Sequence, residues 1–259
     1  MLRTNSFDHL VNEASDATQA FSVGTDEEIA ADLTTADSTR FRIRRQFAEG
    51  GLGVIYLAQD SQFQRDVALK QIRVDRDIHH VVSEKFLFEA EVTGQLEHPG
   101  IVPVYSMGLT KEGKPFYAMR LIRGVELKAA IRELHSKFND RRLDFYGIEF
   151  KNLLQRFISV CQTIEYAHNR GVLHRDLKPA NVMLGPYGET LVVDWGLARP
   201  MFQSDEINLD DSQSMSSASP VRIKLGRSRS ETHYGSFSGT VAYAPPEQLL
   251  GELERLGCQ

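Results

Sequence analysis

Between Val182 and Val193 the chain leaves itself little conformational choice. Two short apolar runs, Val182-Met183-Leu184 and Leu191-Val192-Val193, flank Gly185-Pro186-Tyr187-Gly188. Apolar, β-prone residues on either side of such a turn predict a hairpin. Polar residues stand at both open ends, Asn181 just before the first strand and Asp194 just after the second. In an antiparallel hairpin those ends lie side by side, so an amide oxygen and a carboxylate converge. Hard oxygen ligands brought together in this way suit Mg²⁺.

The flanking sequence divides into stretches of different character. Residues 1–40 hold eight acidic residues against two arginines and few large apolar side chains. Such a segment buries too little to offset its ordering entropy, so it is expected to be disordered, with at most a short helix near Ile29 and Leu33. From Phe41 short β-like runs begin. Phe41 to Phe47 and Val54 to Gln59 flank a Gly-rich turn and predict a hairpin, with Asp66 to Val74 as a third strand. Ser83 to Leu96 predicts a helix, ended by His98-Pro99-Gly100. Ile101 to Met107 and Pro115 to Leu121 predict two further strands.

Farther on, Phe150, Leu153, Leu154, Phe157, Ile158, Cys161 and Ile164 recur at threes and fours, predicting a helix with one buried stripe and Gly171 as its C-cap. Residues 201–240 contain ten serines, an acidic half (Asp205, Glu206, Asp210, Asp211) and a basic half (Arg222, Lys224, Arg227, Arg229). Their length and low hydrophobicity predict a mobile inserted loop over 201–238.

Composition narrows the classes. A net charge of −5 gives no reason to expect nucleic acid or an anionic membrane as the main partner. Cys161 and Cys258 are far apart and lack metal-ligand spacing, so they are expected to be reduced thiols. No apolar run is long enough to cross a bilayer, and Met1-Leu2-Arg3-Thr4-Asn5 lacks the apolar core of a signal peptide. These features predict a cytoplasmic protein with no membrane contact within this chain.

Several residue patterns suit a phosphate-bearing ligand. In Ala48-Glu49-Gly50-Gly51-Leu52-Gly53-Val54-Ile55-Tyr56, glycines would let backbone amides approach an anion, although such a run is equally readable as an ordinary hairpin turn. Lys70 ends Val67-Ala68-Leu69-Lys70 and shares a strand face with Ala68. Glu89 falls among Phe86, Val92, Thr93 and Leu96 on one helix face. A carboxylate among apolar neighbours needs a partner, and Lys70 is the obvious one. The pair reads either as a structural ion pair or as a device holding the lysine against phosphates.

His174-Arg175-Asp176-Leu177-Lys178-Pro179-Ala180-Asn181 resembles the catalytic loop of the protein kinase family at every fixed position. Lys178, two residues after the aspartate, is similar to the serine/threonine version, and the chain as a whole resembles the bacterial, eukaryotic-like kinases. The resemblance covers about residues 41–259. It implies Asp176 as the group that accepts or orients the acceptor hydroxyl proton, Lys178 on the transferred phosphate, and Asn181 and Asp194 as metal ligands. Asp194-Trp195-Gly196 resembles the family's D-F-G, with Trp for Phe. Gly239-Thr240-Val241-Ala242-Tyr243-Ala244-Pro245-Pro246-Glu247 resembles the end of an activation segment, with Thr240 ordering Asp176 and Lys178.

The same resemblance implies that ATP meets Ala48, Glu49, Gly50, Gly51, Gly53, Ile55, Ala68, Lys70, Met119 and the backbone of Arg120 to Ile122. Ala48 departs from the family's first glycine. Arg175 would pair with a phosphate on Thr232, Ser236 or Ser238.

The implied fold is α+β and bilobal. A β-rich N-lobe with one main helix spans 41–122, and a mainly helical C-lobe, incomplete at its far end, spans 123–259. The implied activity is transfer of the ATP γ-phosphate to protein Ser/Thr hydroxyls with Mg²⁺ (Mn²⁺ as an alternative), including autophosphorylation through self-association. Because the family's C-lobe continues well past Pro245-Pro246-Glu247, residues 1–259 alone are expected to be unstable or poorly active. An ATP-binding, pseudokinase-like scaffold or inactive fragment is the rival, supported by Ala48, Trp195 and the incomplete C-lobe. A small-molecule kinase is the second rival, opposed by Lys178-Pro179 and the Gly239–Glu247 segment.

Overall fold

The structure, a computed structural model, describes residues 40–50, 53–73, 79–138, 146–200 and 239–252. The expected disorder before residue 40, Gly51, the serine-rich insertion with Thr232, Ser236 and Ser238, and the segment after Glu252 lie outside the described residues.

Strands β1 (Phe41–Gly50), β2 (Gly53–Asp60), β3 (Arg65–Ile72), β4 (Val104–Leu109) and β5 (Pro115–Arg120) form one antiparallel sheet in the order β1-β2-β3-β5-β4. Period-2 alternation explains its two faces. Val67 and Leu69 point to one side with Phe41, Ala58, Phe116 and Ala118. Their neighbour Ala68 is also buried, and Ile72 and Tyr117 pack against Phe86 and Ala90 of helix α1 (His79–Gln95). With both faces covered, β3 reads as a nearly continuous apolar run.

The predicted strand at Ile101 to Met107 starts three residues later. Pro103 has no N–H to give a ladder. Ile101 instead makes an isolated parallel bridge to Val192, is 3% exposed, and belongs to the second core.

That second core gathers around a three-stranded sheet, β6-β8-β9, made of Val125–Glu126, Val182–Leu184 and Thr190–Val192. The predicted hairpin is present with Val182 opposite Val192. Helix α2 (Leu127–Phe138), not anticipated from the sequence, and helix α3 (Ile148–Asn169) pack on it. Gly171 follows α3 with φ of 72° and donates to the carbonyl of His168, so a left-handed residue closes the helix as expected. Beyond it, β7 (Val172–Leu173) pairs with β10 (Arg199–Pro200), and the short helix α4 (Pro246–Leu249) lies near the end of the described chain.

The predicted buried stripe on α3 needs correction. Val160, Thr163 and Ala167 are the buried residues, and Leu153 and Ile164 of the predicted stripe pack partly buried against the same core, whereas Leu154, Phe157, Ile158 and Cys161 are exposed. The helix is turned by its neighbour. Gly100 packs so closely that a Cβ there would lie 1.9 Å from Thr163 Oγ1. The close approach of Gly100 thus puts Thr163 on the inward face, beside Val160, Ala167, Leu153 and Ile164.

Candidate active site

Lys70 sits mid-strand on β3, between Ile55 on β2 and Tyr117 on β5 in register. The next row on that face is Leu57, Ala68 and Met119. Glu89, 3% exposed on α1, meets Lys70 Nζ through both oxygens at 2.6 and 2.8 Å. A buried carboxylate is costly unless paired and hydrogen-bonded. The structure brings these two predicted partners together across the sheet–helix interface.

The glycine-rich run is split between β1, which carries Ala48, Glu49 and Gly50, and β2, which carries Gly53 and Ile55. Glu49 turns its carboxylate to Arg73 and Gln46, so only its backbone is placed for an anion. The two described glycines differ. A Cβ at Gly53 would lie 2.4 Å from the Gln71 carbonyl oxygen, whereas one at Gly50 meets none of the described residues within 4 Å. Gly53 is thus required by strand packing in its own right. At the other edge, Met119 is partly buried, the Arg120 amide donates to Pro103 O at 3.1 Å, and the Arg120 side chain pairs with Glu189. Ile122 follows in the connecting segment, half-buried.

Across the cleft, the turn from β7 to β8 carries the polar cluster. His174 is buried, its ring 4.6 Å from the Trp195 ring. Its Nδ1 accepts from the Asp176 amide, which leaves Nε2 to donate to Val193 O at 3.1 Å. Burial holds this imidazole below its usual pKa, consistent with a neutral ring. Arg175 takes the left-handed conformation, φ 62°, with its carbonyl accepting from Gln248 Nε2 at 2.7 Å and its Nε donating to Leu197 O. That turn aims Asp176.

Asp176 meets Thr240, expected from the sequence to order it, together with Lys178 and Asn181, which were expected to act on phosphate and metal rather than on Asp176 itself. Lys178 Nζ (2.8 Å) and Asn181 Nδ2 (3.1 Å) donate to Oδ2, and the Thr240 hydroxyl donates to Oδ1 at 2.7 Å. Lys178 also donates to Thr240 Oγ1 at 2.9 Å, closing a ring of contacts. Burial pushes the Asp176 carboxyl up, but the hydrogen bonds from Lys178, Thr240 and Asn181 and the charge of Lys178 outweigh it and hold it below the usual range.

Asn181 spends its amide nitrogen on Asp176, leaving its side-chain oxygen as the atom for a cation. The Val193 amide donates to Asn181 O, so Asp194 stands beside that residue, exposed and with φ 66°. Among the described residues no cluster of three or more His, Cys, Asp or Glu forms. Two hard oxygens near an open cleft fit a cation that draws its remaining ligands from phosphate and water. Trp195 is fully buried, so it fills an apolar niche as expected of the residue in that position.

Three contributors were not singled out in the sequence. Tyr117 donates to Glu89 at 2.9 Å, and Gln248 braces Arg175 as described above. Arg199 on β10 lies near enough to Arg175 for its charge, after burial, to lower the Arg175 pKa, and its Nη1 is buried with no hydrogen-bond partner among the described residues. Two guanidiniums within electrostatic reach of each other favour an anion.

A family model described as protein kinase domain matches residues 41–256. The chain is 40% identical over 214 residues to the serine/threonine-protein kinase PknD of Protochlamydia amoebophila, which covers 82% of this chain and 21% of that protein. It is 39% identical to PknD of Chlamydia trachomatis serovar L2b and 36% identical to PknD of Chlamydia pneumoniae, each covering 82% of this chain and 22% of the relative. The chain thus spans about a fifth of the length of the curated relatives it matches.

Proposed function

The chain belongs to the protein kinase domain family, and from that premise we propose that it transfers the ATP γ-phosphate to serine and threonine hydroxyls of protein substrates. The observation that carries this reading is Asp176. Its two oxygens are held by Lys178, Asn181 and Thr240 while it stays ionised. A fixed carboxylate can orient the acceptor hydroxyl and take its proton. Lys178, next to it, neutralises charge on the group being transferred and favours the serine/threonine reading over tyrosine.

On the opposite side of the cleft, Lys70, oriented by Glu89, is placed to hold nucleotide phosphates. The family uses ATP and a divalent cation, and Asn181 and Asp194 would hold the latter. We assign Mg²⁺ because the set is small, hard and oxygen-only. The cation would supply charge neutralisation on the phosphates. The remaining assignments rest on position: Ala48, Gly50, Gly51, Gly53, Ile55, Ala68 and Met119 around the nucleotide, with the backbone of Arg120 to Ile122 at the base.

The lobes are assigned as 41–122 and 123–259. Arg175 and Arg199 would read a phosphate on the 201–238 segment, added by a second copy in trans. The reading implies a cytoplasmic location, where ATP is supplied; no helix of the described residues is long and apolar enough to cross a membrane. Lys70, Asp176, Asn181 and Asp194 are all retained, which disfavours an ATP-binding scaffold. The test is autophosphorylation with ATP and Mg²⁺, using Asp176→Asn as control. Incorporation that disappears in the variant supports the reading, and incorporation that survives it would sink the assignment of Asp176.

A further inference from the structure

We propose that Tyr117 is a positioning residue for ATP binding, its hydroxyl anchoring Glu89 so that Lys70 is aimed whether or not the nucleotide is present. The inference rests on the functional reading above and adds to it a residue that no motif marks.

Tyr117 stands directly opposite Lys70 in the β3–β5 register, on the face that looks at α1. Its side chain is 2% exposed and its ring lies 5.2 Å from that of Phe86, so the hydroxyl has a fixed origin on an interior strand. That hydroxyl donates to Glu89 Oε1 at 2.9 Å, the oxygen that Lys70 meets at 2.6 Å. Burial first, then the negative charges of Glu89 and Asp194, push the phenol well above its usual pKa, so it remains a donor.

The arrangement gives Glu89 two anchors of different kinds. Lys70 is long, and its ammonium must be shared with phosphate once a nucleotide arrives. A carboxylate that is 3% exposed and held by the lysine alone would lose partners at that moment, at a cost typical of buried charges. Tyr117 belongs to the sheet and does not follow the lysine. It therefore keeps Glu89, and with it α1, at a constant distance from β3 while Lys70 turns to the nucleotide.

The test is nucleotide binding by the protein at its full natural length. Tyr117→Phe keeps the ring and removes only the hydroxyl. A hydrogen bond to a buried charge predicts ATP–Mg²⁺ binding weaker by about tenfold. Adenosine, which lacks the phosphates, should bind within about twofold of the unaltered protein. In a Lys70→Met background the tyrosine substitution should change ATP affinity by less than about twofold, because its effect passes through the lysine. Equal losses for ATP and adenosine, an undiminished ATP affinity, or additivity in the Lys70→Met background would each overturn the inference. Failure of the unaltered protein to bind ATP would sink the functional reading and this inference with it.

Discussion

Asp176 shows how three neutral or positive donors decide the state of one carboxylate. Lys178, Thr240 and Asn181 together overcome its burial, so its folded pKa lies below that of the unfolded chain. The stability it contributes is therefore present above the ordinary carboxylate pKa and is lost as pH falls through the lower, folded value. The acidic limb of the pH–rate profile is expected below the ordinary carboxylate range, and replacing Thr240 with valine should move that limb upward; an unmoved limb would separate the threonine from the acid. Asp176→Asn should lower kcat by about 10²- to 10⁴-fold, as loss of a general base does. Gln248 acts one step back. Its amide satisfies the carbonyl of Arg175, a residue already in the left-handed region. Gln248→Met keeps volume but leaves that carbonyl unpaired, and should lower kcat by about tenfold with ATP affinity unchanged, as a kcat-against-KM measurement would read. Asp176, Lys178 and Asn181 were legible because one contiguous run carries them, and Thr240, 64 residues from Asp176, because its own run from Gly239 to Glu247 resembles the end of an activation segment. Gln248 and Tyr117 were not, since each meets its partner only after strands or helices distant in sequence have packed.

Among elements, the β1–β2 hairpin separates two glycines that look alike in the sequence. The β2 and β3 backbones approach so closely at Gly53 that a Cβ would strike the Gln71 carbonyl, while a Cβ at Gly50 would meet none of the described residues. Gly53→Ala is expected to cost about 1–3 kcal/mol of stability through strand displacement. Gly50→Ala should leave the denaturation midpoint nearly unchanged, so chemical denaturation of the two variants distinguishes packing from phosphate access. Helix α3 shows where periodicity stops being informative. An apolar stripe is correctly read from spacing, but which part is covered depends on what arrives. Here Gly100 docks on Thr163, and the inward face becomes Val160, Thr163 and Ala167. Leu154, Phe157 and Ile158, the more hydrophobic choices, stay exposed. The delayed start of β4 has the same origin: Ile101 is claimed by the core around Val192 before the sheet begins.

At the scale of the molecule, α1 is shared between the two cores. Phe86 and Ala90 pack on the five-stranded sheet with Ile72 and Tyr117, whereas Val92 and Leu96, one or two turns on, lie with Val160, Val192 and Trp195. The helix that positions Glu89 is thus fixed at its far end to the hairpin that positions Asn181 and Asp194. Disturbing one core should be felt in the other. Trp195 makes this measurable, because it is the chain's one tryptophan and is fully buried. Its fluorescence reports the hairpin core alone. Phe86→Ala, in the sheet-facing cluster, should cost about 3–5 kcal/mol. If the lobes unfold as one unit, the denaturant midpoint read from Trp195 will fall together with the hydrogen-exchange protection of the β3 amides. A Trp195 midpoint unmoved by Phe86→Ala, while β3 loses protection, would mean that the cores unfold separately. In that case the lysine–glutamate pair could be lost with the Asp176 cluster intact.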